Sequence, residues 1–442
     1  MTASNPADTL NILEDLAKIA VKKGATDYEF SHSDGDSLVV GVRNGKIEEL
    51  PGDNVPDISF EIHMGKHVGT AHSASAHPDA LHQALDRAIS NARFASQDVT
   101  KALARPDQVL TSFRDLQLND PYEPTLDEMV ALARRTEAAA LSEQGITNTE
   151  GASAQWVRSI HTYLTSNGLR GQSIKSNFSM GASVIAGTGD NMETDSAYTS
   201  ARWFENLKNP EEIGKLAAQR ALEMMNSRQI ATMDAPVIFD RRISAGLVNA
   251  FLGAISGMSL YNKTTYLRRE ALGKQLFSPH IQIVENPFML RGPASSNIDQ
   301  AGLPRQPMAL VENGILNTWL IGLQSGRKLK MDPNGHTGGV SNVFLAAGAQ
   351  TQAEMLQEMG TGLLVTSTMG HGPNVMTGDY SAGVAGFWIE NGQSAFPVSG
   401  ITLAGKLKDI FANMKPANDL RLMESKISAP SIRVDGLKIG GL

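Results

Sequence analysis

The residues of this chain best placed to do chemistry lie in one glycine-rich run, residues 370–392, where His371, Asn374, Asp379, Tyr380, Trp388 and Glu390 stand among six glycines. An imidazole and a carboxylate this close in sequence could serve as acid and base, with glycine-exposed backbone amides polarising a carbonyl. The plainer alternative is a His371 that hydrogen-bonds loop backbone and an Asp379 that caps a turn. Spacing alone favours the plainer one. The run is expected to open as irregular loop and to end as a hairpin, with Phe387 to Glu390 returning through Asn391-Gly392 into residues 395–398. Alternation on that strand sends one of Phe387 and Trp388 into the core and leaves the other free to meet a partner.

A second group is His63, His67, His72, His77 and His82, half of the ten histidines in the chain. Imidazole is a common metal ligand, but a closed site needs several rings to converge with supporting carboxylates. The pattern spreads these five over a hairpin, its exit loop and a helix start, which favours surface histidines. Ser256 in Gly253-Ala254-Ile255-Ser256-Gly257 stands one position late for a nucleophile elbow and at a helix end. No Walker sequence, dinucleotide fingerprint or EF-hand loop is present. The chain has no cysteine, so disulfides, thiolate nucleophiles and cysteine-held zinc are excluded.

Elements to position these residues can be read from periodicity. A helix from Asn5-Pro6 to Gly24 precedes strands at 27–32, 38–42 and 46–50, the last two joined by Asn44-Gly45. A hairpin at 58–63 and 67–73 turns through Met64-Gly65-Lys66, and a helix from Pro78 packs back on it. Residues 101–124 carry three prolines and read as a linker or extended crossing. Thr125 with Glu128 makes a capping box for a helix through Leu141. Residues 146–201 read as a meander of strands, and Asn209-Pro210 opens a further helix through Met225. After a short strand at 237–239 comes a helix over 243–256. Residues 309–315 and 318–321 then form a third Asn-Gly hairpin, and Thr351 with Glu354 caps a short helix before the glycine-rich run. The fold expected is α+β or mixed α/β in two domains: 1–230, helices on an antiparallel sheet, and 231–442, strand-rich with a few helices.

The length of 442 residues suits two domains, and 41% hydrophobic with 19% charged residues is ordinary for a globular protein. A net charge of −7 disfavours direct nucleic-acid binding. The N-terminus lacks the pattern of a secretory signal, and no window is apolar enough to span a membrane, so the cytoplasm is the expected location.

The run from Asn374 to Gly392, continued by Ile401-Thr402-Leu403-Ala404-Gly405, closely resembles the C-terminal signature of the TldD/PmbA family, the modulators of DNA gyrase, in its PmbA/TldE branch. Val42-Arg43-Asn44-Gly45-Lys46-Ile47-Glu48, residues 257–273 with Tyr261 and Leu267, and Ser325-Gly326-Arg327-Lys328-Leu329 resemble it too. In the TldD branch a helix carries His-Glu-x-x-x-His, two zinc ligands and a water-activating glutamate. Aligned on Leu247 and Gly253, Asn249 and Ala254 stand where the histidines would be and Ala250 replaces the glutamate. A methyl group cannot ligate metal or take a proton, and an amide is a poor zinc ligand.

The resemblance therefore implies a non-catalytic subunit with no cofactor of its own. Its partner would be a TldD-like peptidase subunit that carries zinc, and the substrate a peptide or unfolded polypeptide. A homodimer is possible in isolation. His371, Asn374, Asp379, Tyr380 and Trp388 are the residues expected to face partner or peptide. The rival readings are a stand-alone peptidase or hydrolase with an unrecognised site, and a regulatory protein-binding module that cleaves nothing.

Overall fold

The structure is a computed structural model and describes residues 6–49 and 56–442. Asn5 and Leu50, which the sequence places at a helix start and a strand end, lie outside the described residues. The first half runs α1 (Pro6–Lys22), β1 (Asp27–Arg43), β2 (Lys46–Glu49), β3 (Asp57–Met64), β4 (His67–Ser73), α2 (Pro78–Phe94), α3 (Leu126–Leu141), β5 (Ile146–Thr165), β6 (Arg170–Ala186), β7 (Glu193–Ala201) and α4 (Pro210–Glu223). The second half runs β8 (Met233–Phe239), α5 (Arg241–Ala254), α6 (Gly257–Asn262), β9 (Ile283–Glu285), β10 (Met308–Glu312), β11 (Ile315–Leu316), α7 (Leu323–Leu329), β12 (Val343–Leu345), α8 (Gln352–Met359), β13 (Gly362–Asn374), β14 (Asp379–Glu390), β15 (Gln393–Lys406), α9 (Leu407–Asn413), β16 (Lys415–Pro416), β17 (Ile427–Ser428) and β18 (Ile432–Gly440). The expected α+β class, with helices on an antiparallel sheet followed by a strand-rich part, is what the chain adopts.

Strands β1 to β7 form one antiparallel sheet in the order β4-β3-β1-β5-β6-β7, with β2 on the end of β1. Side chains alternate across it, so Phe30, Val40 and Val42 of β1 share a face with their partners Leu164, Ala154 and Ala152 of β5. Helices α1 and α2 cover one end of that face, and α3 and α4 cover the other. Gly69 of β4 is where α2 comes closest: a Cβ there would stand 2.1 Å from the Ala92 nitrogen and 2.3 Å from the Ala88 oxygen. The opposite, open face carries Glu29, Ser31, Tyr163, His161 and Lys175, and Tyr163 packs against a small apolar cluster that includes Leu323 of α7.

In the second half β8 pairs in parallel with β13, β13-β14-β15 run as hairpins, and β18 joins β8 to β15. These five strands close into a ring. A second sheet, β11-β10-β9-β12-β17, faces it across the largest apolar core, with α5 between them. Phe251 of α5 meets Phe277 and Phe411 edge-on at 4.8 and 5.8 Å, an arrangement aromatic quadrupoles favour.

Local signals worked where the chemistry is local. Asn44-Gly45, Asn313-Gly314 and Asn391-Gly392 all turn hairpins with positive φ at both residues, as the two-residue turn of that hand requires. Thr125 with Glu128 and Thr351 with Glu354 form reciprocal capping boxes. Two expectations change. Residues 318–321 are not a strand; Trp319, Leu320 and Ile321 are buried, and the Ile321 N–H donates to the Asn334 side chain instead of to a ladder. Residues 370–374 are not irregular loop but the end of β13, paired with β14 through a bulge.

Residues 101–124 do run as an extended crossing, with one 3-10 turn at Pro106–Gln108. The Arg327 guanidinium of α7 donates to the carbonyls of Thr100, Ala102 and Leu103. Further on, Leu116 O accepts from Arg291 N–H, and Leu118 O accepts from Ser176 N–H at the edge of β6. The strap thus ties the first sheet to the second half.

Candidate functional site

The glycine-rich hairpin brings His371, Asn374 and Asp379 to one end of the second half. Ladder pairing shifts between Met369 and Gly372, so His371 sits in a bulge flanked by Gly370 and Gly372, both at positive φ that only glycine adopts without strain. Its side chain is exposed. Asn374 Oδ1 accepts from the Met376 and Thr377 N–H groups and shapes the turn to Gly378. Asp379 pairs across the ladder with Lys406, whose Nζ lies 2.5 Å from its Oδ1. That hydrogen bond from Lys406, helped by Thr377, holds the Asp379 carboxyl below the usual carboxylate range. Among the described residues nothing links Asp379 to His371, so the two do not form an acid–base pair.

Tyr380 and Trp388 were expected to face a partner or peptide and do not. Both lie in the core at 4% and 8% exposure, Tyr380 with its ring edge-on to Phe239. The alternation on β14 sends even-numbered side chains inward, which sequence pattern alone could not assign.

Helix α5 reaches the same region. Its Gly253 has Val375 as nearest neighbour of a notional Cβ, at 3.6 Å, and Val375 O accepts from Tyr266 N–H beyond α6. On α5, Asn249 is exposed, whereas Ala250 and Ala254 are buried at 3% and 0%. A zinc ion does not fit these positions: two are methyl groups turned into the protein, and the third is an amide on another face of the helix. Ser256 begins α6, and no side-chain capping bond or base accompanies it.

The five clustered histidines are separately engaged. His63 is buried with Nε2 2.9 Å from Glu61 Oε1, His67 Nδ1 bonds Ala95 O, His72 Nδ1 meets Asp57, His77 caps α2 and His82 is exposed. The expectation of surface histidines fits the exposed His72, His77 and His82, whereas His67 is half-buried and His63 is buried. Among the described residues no group of three or more His, Cys, Asp or Glu is arranged to hold a metal.

Sequence reading missed a cleft of about 1060 Å³ between the open face of the first sheet, the strap at 113–119 and the loops at 291–305. None of the expected site residues lines it. Glu29, His161, Tyr163 and Lys175 do. Burial pushes the Glu29 carboxyl up to about 7, with the Glu61 and Asp299 charges adding to the effect and His63 opposing it. Burial also lowers His161 and Lys175, Lys175 further through Arg202 and Arg305. The only sequence signal was titratable residues spread over three long strands, β1, β5 and β6, and that signal is shared by any half-solvated sheet.

Behind the cleft Arg305 reaches a buried cluster. Glu285 Oε1 accepts from Ser341 N–H and Oγ–H at 2.6 and 2.7 Å, and from Arg305 at 3.4 Å; its Oε2 lies 2.7 Å from His336 Nε2. Asn334 Oδ1 accepts from Ile321 N–H while its Nδ2 donates to Trp319 O, which fixes the amide. His336 Nδ1 therefore donates to Asn334 Oδ1 at 2.7 Å.

Two family models match the chain. The model of the PmbA/TldA metallopeptidase central domain matches residues 119–225, and that of the C-terminal domain matches residues 232–441. The chain belongs to the PmbA/TldD metallopeptidase family. Within it the likeness is to the PmbA branch: it is 36% identical over 434 residues to metalloprotease PmbA of Escherichia coli O157:H7, covering 97% of this chain and 96% of that protein. Among solved structures, a candidate modulator of DNA gyrase from Bacteroides thetaiotaomicron superposes with a TM-score of 0.92 at 22% identity, covering 98% of each chain. TldE from Thermococcus kodakarensis superposes at 0.84 with 20% identity, covering 97% of this chain and all of that one. These two share the fold.

Proposed function

We propose that this chain is the non-catalytic subunit of a heterodimeric zinc metalloprotease, paired with a TldD-like peptidase subunit and acting on peptides or unfolded polypeptides in the cytoplasm. The observation that carries the reading is α5, whose Asn249, Ala250 and Ala254 offer no zinc ligand and no base where the TldD branch has its motif. Membership of a metallopeptidase family and the likeness to TldE support it. No helix among the described residues is long and apolar enough to cross a membrane.

Zinc content and peptidase activity, measured on the purified chain alone and after mixing with the TldD-type subunit of the same organism, test this. The chain alone is expected to be zinc-free and inert, and the mixture active. Stoichiometric zinc and cleavage by the chain alone would sink the reading and turn attention to the cleft around Glu29 and His161.

The exposed residues of the hairpin end, His371, Asn374 and Asp379, form part of the surface that meets partner or peptide in this reading. His371→Ala combined with Asp379→Ala is expected to weaken assembly or activity of the complex about tenfold, the size of one interface contact of some importance. Unchanged assembly and turnover would remove these residues from the interface.

A further inference from the structure

Two ionisable side chains in the cleft have no hydrogen-bonded counter-charge. Among the described residues, neither the Glu29 carboxylate nor the Lys175 ammonium makes a hydrogen bond or ion pair, although both are largely withdrawn from water. Neighbouring charges aggravate the imbalance. Glu29 faces Glu61 and Asp299, with His63 as the one opposing group, and Lys175 faces Arg202 and Arg305. Arg202 donates from its two Nη atoms to the carbonyls of Ser176 and Pro293 and not to a carboxylate, and its buried Nε has no partner among the described residues. The cleft is therefore acidic at one end and basic at the other.

Strand register places the two ends. Glu29 pairs with Thr165 and Lys175 pairs with Ser159, both partners on β5. Thr165 and Ser159 are six residues apart, which at about 3.3 Å per residue separates the ends by roughly 20 Å. Both side chains belong to the open face of the sheet, with Tyr163 and His161 between them. One more group in the wall lacks a partner: the Asn119 side-chain oxygen is buried and accepts no hydrogen bond. A buried acceptor in this condition takes its donor from ordered water or from a ligand that displaces it.

An extended polypeptide covers about 3.3–3.6 Å per residue, so about six residues span the same distance with an ammonium at one end and a carboxylate at the other. Its backbone N–H groups are the donors Asn119 lacks. We propose that this cleft binds an extended peptide of about six residues, with its amino terminus at Glu29 and its carboxyl terminus at Lys175. A small anion would satisfy Lys175 and leave Glu29 uncompensated, and a nucleic acid would be repelled at the acidic end. The choice of a peptide over other long zwitterions rests on the reading of this chain as part of a peptidase complex.

The test is a calorimetric titration of the purified chain, without any partner subunit, against an uncharged hexapeptide of glycine, serine and alanine in four forms: both termini free, N-acetylated, C-amidated and doubly capped. Each cap is expected to weaken binding about tenfold or more, the range for one hydrogen bond to a charged group. In Glu29→Gln the N-acetyl effect should vanish and the amide effect remain; in Lys175→Met the reverse should hold. A free tripeptide, too short to reach both ends, should bind no better than the doubly capped hexapeptide. The proposal is overturned by caps without effect, by cap effects that survive in both variants, by inorganic phosphate displacing the peptide with Glu29→Gln silent, or by no binding of the free hexapeptide. If a variant fails to fold, the four peptide forms on the unaltered chain still decide. Because no partner is present, failure here leaves the proposed subunit role to its own zinc and activity measurements.

Discussion

Glu285→Ala should lower the stability of the protein by roughly 3–5 kcal/mol, the usual cost of removing one member of a buried charged set. The carboxylate is 2% exposed and receives Ser341 N–H, Ser341 Oγ–H and Arg305, and its Oε2 lies 2.7 Å from His336 Nε2. Without it the buried His336 ring loses its Nε2 partner and the Arg305 guanidinium keeps only the Asp299 charge nearby. Burial pushes the Glu285 carboxyl up, yet the hydrogen bond and charge of His336 with the Ser341 donors overcome this and hold it below its ordinary value of 4.5. A carboxyl depressed on folding contributes stability above its unfolded value, and that contribution is lost as pH falls through the folded one. The difference between wild type and variant should thus be full near pH 7 and shrink below about pH 4.5. Urea midpoints of both proteins at pH 7 and pH 3.5 check this; a variant within about 1 kcal/mol of wild type at pH 7 would show the cluster to be dispensable.

Rebuilding the lost motif should fail. The triple change Asn249→His, Ala250→Glu, Ala254→His supplies the residues that bind zinc and activate water in the TldD branch. Here Ala254 is fully buried in the core that holds Phe251, Phe277 and Phe411, and Ala250 is 3% exposed. An imidazole at 254 must displace packed side chains, at about 1–3 kcal/mol, and bury a polar ring for about 1–3 kcal/mol more. The expected result is a protein destabilised by roughly 3 kcal/mol or more and without stoichiometric zinc, while Asn249→His alone folds normally. Zinc binding with peptidase activity in the triple variant would mean that α5 keeps a working pocket and lost only its ligands.

These two outcomes separate the short-range from the long-range content of the chain. Glu285 and His336 stand 51 residues apart, each unremarkable in sequence, and only the path of the chain through β10, β11 and α7 brings them together. The degenerate helix, by contrast, was legible from residue types at three positions, because an alanine cannot ligate metal in any fold. Short helices escaped for another reason. α6, α7 and α9 have six or seven residues, too few to display a helical period, and α9 is held by burial of Leu407, Ile410 and Phe411. Residues 370–374 were mistaken for loop because their glycines signalled positive φ, which a bulged strand requires as much as a loop does.

By itself the sequence determined the turns, the caps, the alternating strands and the family, since each depends on neighbours within a few residues or on the identity of a side chain. It also determined that α5 carries no zinc ligands. Only the tertiary structure decided that Tyr380 and Trp388 face inward, that Asp379 is taken by Lys406 and not by His371, and that Glu29 and Lys175 share a cleft without ion-paired partners among the described residues. Those outcomes depend on which face of a strand meets the core and on which distant segments close over it. The free energy of apolar burial summed over the whole chain settles both, and no single stretch of sequence contains it.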